Sequence, residues 1–393
     1  KTPKMHRDAT TAVVKPEAVS LGQASLQDDL LSVLRFPAVG SKSFLITIGD
    51  RSVGGLVARD QMVGPWQVPV ADSAVTLHSF HGYHGEAMAV GERTPLAVVN
   101  SPAAARMAVT EAVTNIASAP IASLSDVRLS ANWMAAAGEQ GQDAALYEAV
   151  KAVGMELCPA LGIAIPVGKD SLSLKTDWTD GQQSRHMLAP VSLVITAFAP
   201  VTDARLAVTP QLKRDDTSRL LLIDLGRGAD RLGGSCLEQV HGVFSDQVPD
   251  LENASELAGF FAAIQELIAA EKILAYHDRS DGGLITTLCE MAFAGRCGLK
   301  LSFGQAAGFD EHSLRARLFA EEPGAVIQVT ESNRQTVLAC FAKHGIDALV
   351  EDIGAPASGH TLSLEVGGLA EGVYEMCFSI GGQSAFRKVL ILH

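Results

Sequence analysis

The sequence has no run of Lys or Arg, no CxxC pair and no apolar stretch long enough to cross a bilayer. With 31 basic against 44 acidic residues and a net charge of −13, it lacks the clustered cations that neutralise phosphates along a nucleic acid. An acidic protein that binds phosphates does so through metal ions and backbone amides. The six cysteines (Cys158, Cys236, Cys289, Cys297, Cys340, Cys377) have neither zinc-ribbon nor disulfide-framework spacing and read as reduced, buried thiols of a cytoplasmic protein. The longest apolar run, LAPVSLVITAFAP, falls short of the ~20 residues a membrane helix needs. The opening KTPKMHRDATT has no hydrophobic signal core and no initiator Met, so the chain reads as a fragment or a processed piece. PVGKDSLS, at 166–173, superficially resembles a phosphate loop but fails the G-x-x-x-x-G-K-[ST] pattern, because Asp170 follows the lysine.

The 393 residues suffice for two domains. FLITIGDRSVGGLV (44–57) and PLAVVN (95–100) read as strands, and SPAAARMAVTEAVTNIA as a helix with Ser101 at its N-cap and Pro102 in its first turn. A second amphipathic helix spans 142–162 and stops near Gly162; a strand and a turn follow at IAIPVGKDSLSLKT. The polar stretch TPQLKRDDTSR precedes the strand LLLIDLG. The boundary is placed there, giving two mixed α/β domains, 1–208 and 209–393.

Four short constellations carry the chemistry. Asp72 sits in the small-residue loop PVADSAVT, where an isolated aspartate would be an ordinary turn residue. Glu111 and Asn115 lie four apart on a helix, so both oxygen-bearing side chains face one way, toward a ligand or toward solvent. YHDRSDGGL packs His277, Asp278, Ser280 and Asp281 ahead of two glycines and a helix start. A helix cap at Ser280 or Asp281 accounts for one of these polar residues and leaves three unexplained. Lys169, next to Gly168, is a candidate phosphate partner. His78, His81 and His84 are spaced three apart and invite a zinc reading, but a loop guarantees no convergent geometry and no Cys or further His lies close by.

Taken in order, ADSAVT, GYHGEAMAVGERTP, VTEAVTNIA, VGKDSLS, HDRSDGGL and FAEEPGAV resemble the phosphoribosylformylglycinamidine synthases, in particular the second synthetase half of the large single-chain form. The resemblance implies a two-domain unit like that of aminoimidazole ribonucleotide synthetase. Its first domain would offer a sheet that joins a partner sheet into a barrel, and its second would be an α/β sandwich. It further implies Mg²⁺ held by Asp72, Glu111, Asn115 and Asp278, with Ala71 and Ser280 touching the nucleotide, ATP or ADP. The reaction implied converts formylglycinamide ribonucleotide, ATP and glutamine-derived ammonia to the amidine, ADP and phosphate.

The family's first synthetase half and its glutaminase domain have no counterpart here. None of the cysteines stands in a G-x-C-x-G setting, so glutamine hydrolysis is not expected of this chain. Two readings follow: part of the catalytic ligase, or a non-catalytic half that holds an auxiliary Mg-ADP. In either, the isolated chain is expected to pair with itself in place of the missing half.

Overall fold

A computed structural model describes residues 24–49, 51–52, 55–303, 310–359 and 361–366, together with four two-residue strands between 373 and 390. The first sheet has five strands, in the order Ala74–Leu77, Gly85–Glu92, Ser192–Val201, Arg128–Met134, Ala164–Ser171. Its side chains alternate across the pleat. Ala87, Ala89, Leu129, Ala131, Ile195 and Ala197 are buried beneath the helix Ser101–Ile116, whereas Val90, Phe198 and Val167 remain exposed on the other face. The sheet is open, not closed into a barrel.

One glycine decides how closely that helix lies. A Cβ at Gly91 would stand 2.1 Å from Ala108 O and 2.5 Å from Ala112 N. Both are backbone atoms that cannot step aside, so only glycine lets helix and strand meet this tightly.

The second sheet has six strands, in the order Ala275–Asp278, Gly324–Val329, Arg219–Asp224, Val350–Ala357, Gly298–Phe303, Leu362–Val366. Arg219–Asp224 reads RLLLID because both of its faces are covered. Leu221 and Ile223 join one core with the helices Ala254–Ala269 and Glu331–Lys343, while Leu220 and Leu222 join another with Gly283–Gly295 and Glu311–Phe319. The first of these cores continues into the other domain. Ile116, Ala119 and Ile121 pack in one cluster with Leu257, Phe261 and Tyr276, and the Tyr276 hydroxyl donates to Thr114 O at 2.5 Å. The architecture is therefore mixed α/β in two domains, with an open first sheet and a second sheet carrying helices on both faces.

Several elements differ from the local expectation. Residues 95–100 form no strand: Thr94–Val98 is a 3₁₀ turn, since Pro95 has no N–H for a ladder and presets a helical first turn. Ser43–Ile48 is a short helix with Phe44, Leu45 and Ile48 exposed, and among the described residues of 44–57 only Val57 bridges a strand, at Thr76. The cap of Ser101–Ile116 is Asn100, whose Oδ1 accepts from Ala103 N at 3.1 Å, one residue ahead of the expected Ser101. Gly168 and Lys169 lie inside the strand Ala164–Ser171 rather than in a turn.

Candidate functional site

Two polar edges, one from each domain, meet at a cleft of about 390 Å³ lined by Ala71, Asp72, Val90, Asn115, His277, Asp278 and Ser280. On the first domain, pairing of Ala74–Leu77 with Gly85–Glu92 stops at Met88. Beyond it, Asn115 Nδ2 donates to Val90 O at 3.0 Å and Glu111 Oε2 accepts from Glu92 N at 2.7 Å. The carboxylate and carboxamide four apart on the helix thus continue the strand's edge and are fixed beside the cleft rather than waving in solvent.

The second domain contributes the end of the strand Ala275–Asp278 and the turn after it. His277 Nδ1 lies 2.7 Å from Asp72 Oδ1, and its Nε2 lies 2.8 Å from Glu290 Oε2. Asp278 N also donates to Asp72 Oδ1, at 3.1 Å. Burial works against a charged imidazole, but Asp72 and Glu290 outweigh it and hold His277 well above its ordinary range, so both ring nitrogens donate. Burial, the neighbouring Asp72 and then Glu111 push the Asp278 carboxyl well above its ordinary range, against the pull of His277. Among the described residues, Asp72 Oδ2 and Asp278 Oδ2 are buried without a hydrogen-bond partner. Two orphaned carboxylate oxygens from opposite domains, with a third carboxylate behind them, form an oxygen-rich set that a hard divalent cation fits.

Beyond the aspartates, Gly282 and Gly283 adopt φ of +83° and +73°, and a Cβ on Gly283 would meet the Phe319 backbone at 2.6 Å. This pair turns the chain into the helix Gly283–Gly295, with Gly282, not Ser280 or Asp281, as its N-cap. Asp281 is instead tied at 2.7 Å to Arg93 Nη1.

Of the seven residues read in the sequence as metal or nucleotide contacts, five (Ala71, Asp72, Asn115, Asp278, Ser280) line the cleft, together with His277, and Glu111 lies behind Asn115 on the same helix. Lys169 is not gathered with them. It is exposed on the far edge strand opposite Asn132, three strand spacings from Gly85–Glu92, or roughly 14 Å. His78, His81 and His84 are exposed and belong to no convergent group of metal-ligating side chains among the described residues. Sequence reasoning assigned no role to Glu290, which orients His277, or to Arg93 and Glu321. The only signal for the latter two was their place in GERTP and FAEEPGAV.

Glu111 allows a test of the electrostatics. Burial pushes its carboxyl up to about 8, opposed by Arg93 and aided by Asp281. The folded chain thus holds this proton more tightly than the unfolded one, whose value is near 4.5. The resulting stability is complete below the unfolded value and is lost as pH rises through the folded one. In the metal-free chain, Glu111→Gln is expected to flatten the fall in melting temperature between about pH 5 and about pH 8. Parallel pH profiles for the variant and the wild type would refute it.

Residues 41–200 match the FGAR-AT PurM N-like domain, and residues 219–367 match the C-terminal domain of AIR synthase related proteins. Among solved structures, the fold is similar to Thermotoga maritima PurL complexed with FGAR, at a TM-score of 0.61 and 10% identity, over 93% of this chain and 53% of that one. T. maritima PurL complexed with ATP gives 0.56 and 11%, over 92% and 50%. A hydrogenase maturation protein HypE in complex with ATP gives 0.51 and 14%, over 92% and 97%. The chain thus spans about half the length of the PurL chains it matches. In chain order it is thus similar to an FGAR-AT PurM N-like domain followed by the C-terminal domain of AIR synthase related proteins.

Proposed function

We propose that the cleft binds the phosphates of ATP or ADP through Mg²⁺, and that the chain is part of an ATP-dependent carbon–nitrogen ligase of purine biosynthesis. The observation that carries the reading is the pair of orphaned, buried oxygens Asp72 Oδ2 and Asp278 Oδ2 at the mouth between the domains. Asp72, Glu111, Asn115 and Asp278 would hold the cation, and Ala71 and Ser280 would lie against the nucleotide. When bound, Mg²⁺ supplies charge stabilisation at crowded phosphoryl oxygens.

The protein's own work is positional. His277, fixed between Asp72 and Glu290, aims Asp72, while the Glu92 amide holds Glu111. In the ligase reaction, ATP phosphorylates the amide oxygen of formylglycinamide ribonucleotide. Ammonia then adds at the carbon and phosphate leaves. The six ordered motifs and the match of residues 41–200 to the FGAR-AT PurM N-like domain support this choice of reaction, and glutamine would serve as the ammonia source in a domain outside this chain.

A second reading keeps the nucleotide but not the turnover: Mg-ADP braces the fold. It draws support from the distance of Lys169, which leaves the cleft without a lysine from the VGKDSLS segment. Mass spectrometry of nucleotide released on denaturing the freshly purified protein tests both. About one ADP or ATP per chain is expected, and ADP that fails to exchange during turnover would select the bracing role. No nucleotide, and no Mg²⁺-dependent ADP binding, would overturn both readings. The exposed Val90, Val167 and Phe198 face of the first sheet is the surface for a second, related half, so sedimentation of the isolated chain should give a dimer.

A further inference from the structure

Arg93 and Glu321 line no part of the cleft, yet they join its two walls. Arg93 comes from the first domain, one residue past Glu92, and is only 3% exposed. Its Nη1 donates to Asp281 Oδ1 at 2.7 Å and its Nη2 to Glu321 Oε2. Glu321, 1% exposed, turns its other oxygen to the backbone of its own domain. Oε1 accepts from Gly282 N at 2.7 Å and from Cys236 N at 2.8 Å. An unbroken path therefore runs from Glu111 through the Glu92 amide to Arg93, and through Glu321 to the turn that carries Asp278 and Ser280.

We propose that Arg93 and Glu321 are positioning residues that set the separation of the two carboxylate edges, so that Mg-nucleotide affinity depends on them without contact. This rests on the nucleotide reading of the cleft. Holding the domains together does not require them. The apolar core already crosses the junction, and elsewhere Gln265 bridges it, accepting from Ile121 N at 2.7 Å and donating to Ala117 O at 2.9 Å. A fully buried ion pair is a poor source of stability, because desolvation consumes most of the attraction. What it does supply is fixed geometry. The guanidinium fork admits one arrangement of its two carboxylates, and that arrangement places the backbone amide of Gly282.

The test is Mg-ADP binding to the intact protein by calorimetry, with melting temperatures measured alongside, for the wild type, Arg93→Lys, Glu321→Gln and Gln265→Ala. Lysine keeps the charge but reaches only one carboxylate. Glutamine keeps the acceptor for Gly282 N but sets an amide against Arg93. Both are expected to weaken Mg-ADP by about tenfold or more and to raise the Mg²⁺ concentration needed for half-occupancy. Gln265→Ala should lower the melting temperature and leave the affinity alone. Wild-type affinity in Arg93→Lys and Glu321→Gln overturns the inference, as does an equal loss in Gln265→Ala, which would make affinity a mere reflection of stability. A wild-type chain that binds no Mg-ADP would instead overturn the nucleotide reading and this inference with it.

Discussion

Asp278→Asn is expected to weaken Mg-ADP binding by about 100-fold or more while leaving the metal-free protein at pH 8 as stable as the wild type, or more so. The two effects oppose each other for one reason. Burial, then the neighbouring Asp72 and Glu111, push the Asp278 carboxyl upward against the pull of His277. Above neutral pH the metal-free fold must tolerate charges that repel one another with too few hydrogen bonds to share. An amide of the same shape removes one charge and relieves the fold. It would also remove a proposed hard anionic ligand of the cation. Calorimetric titration and thermal melts on one preparation read both effects. Unchanged affinity would sink the metal assignment, and a large loss of stability would show that Asp278 is structural.

Gly91→Ala is expected to destabilise the protein by about 4 kcal/mol or more, far beyond what adding one methyl group suggests. The new Cβ meets two backbone atoms of the helix Ser101–Ile116, and a helix cannot move one atom alone. It must lift off the strand as a unit. Lifting it pulls Glu111 from the Glu92 amide and Asn115 from the Val90 carbonyl. Any variant that folds should therefore also bind Mg-nucleotide weakly. Urea unfolding gives the first quantity and calorimetry the second. A loss below about 1 kcal/mol would mean the close approach is not what holds the helix.

Much of the site was legible in the sequence because its residue types are awkward anywhere else. A carboxylate and an amide four apart on an otherwise small and apolar helix demand an explanation, and so do two aspartates and a serine before a double glycine. Position along the chain was the weaker signal. Lys169 looked like a loop lysine because Gly168 precedes it, yet the pair runs straight through a strand whose other side chains, Ile165 apart, are also exposed. Thr94–Val98 shows the same limit, since valines argue for a strand and the preceding proline quietly decides against one. Arg93 and Glu321 stand in the motifs GERTP and FAEEPGAV, but nothing in the pattern pairs them. They are 228 positions apart, and only the fold brings them together.

The apolar core that crosses from Ile116 and Ile121 to Leu257 and Phe261 has a kinetic consequence. Two lobes welded by packed side chains cannot swing apart like a jaw without exposing that packing to water. Any occupant of the cleft must then arrive and depart past its rim, through small excursions of the loop around Asp72 and the turn around Ser280. Residence there would be governed by how often these two short segments loosen, not by a hinge. A long dwell time would need no lid.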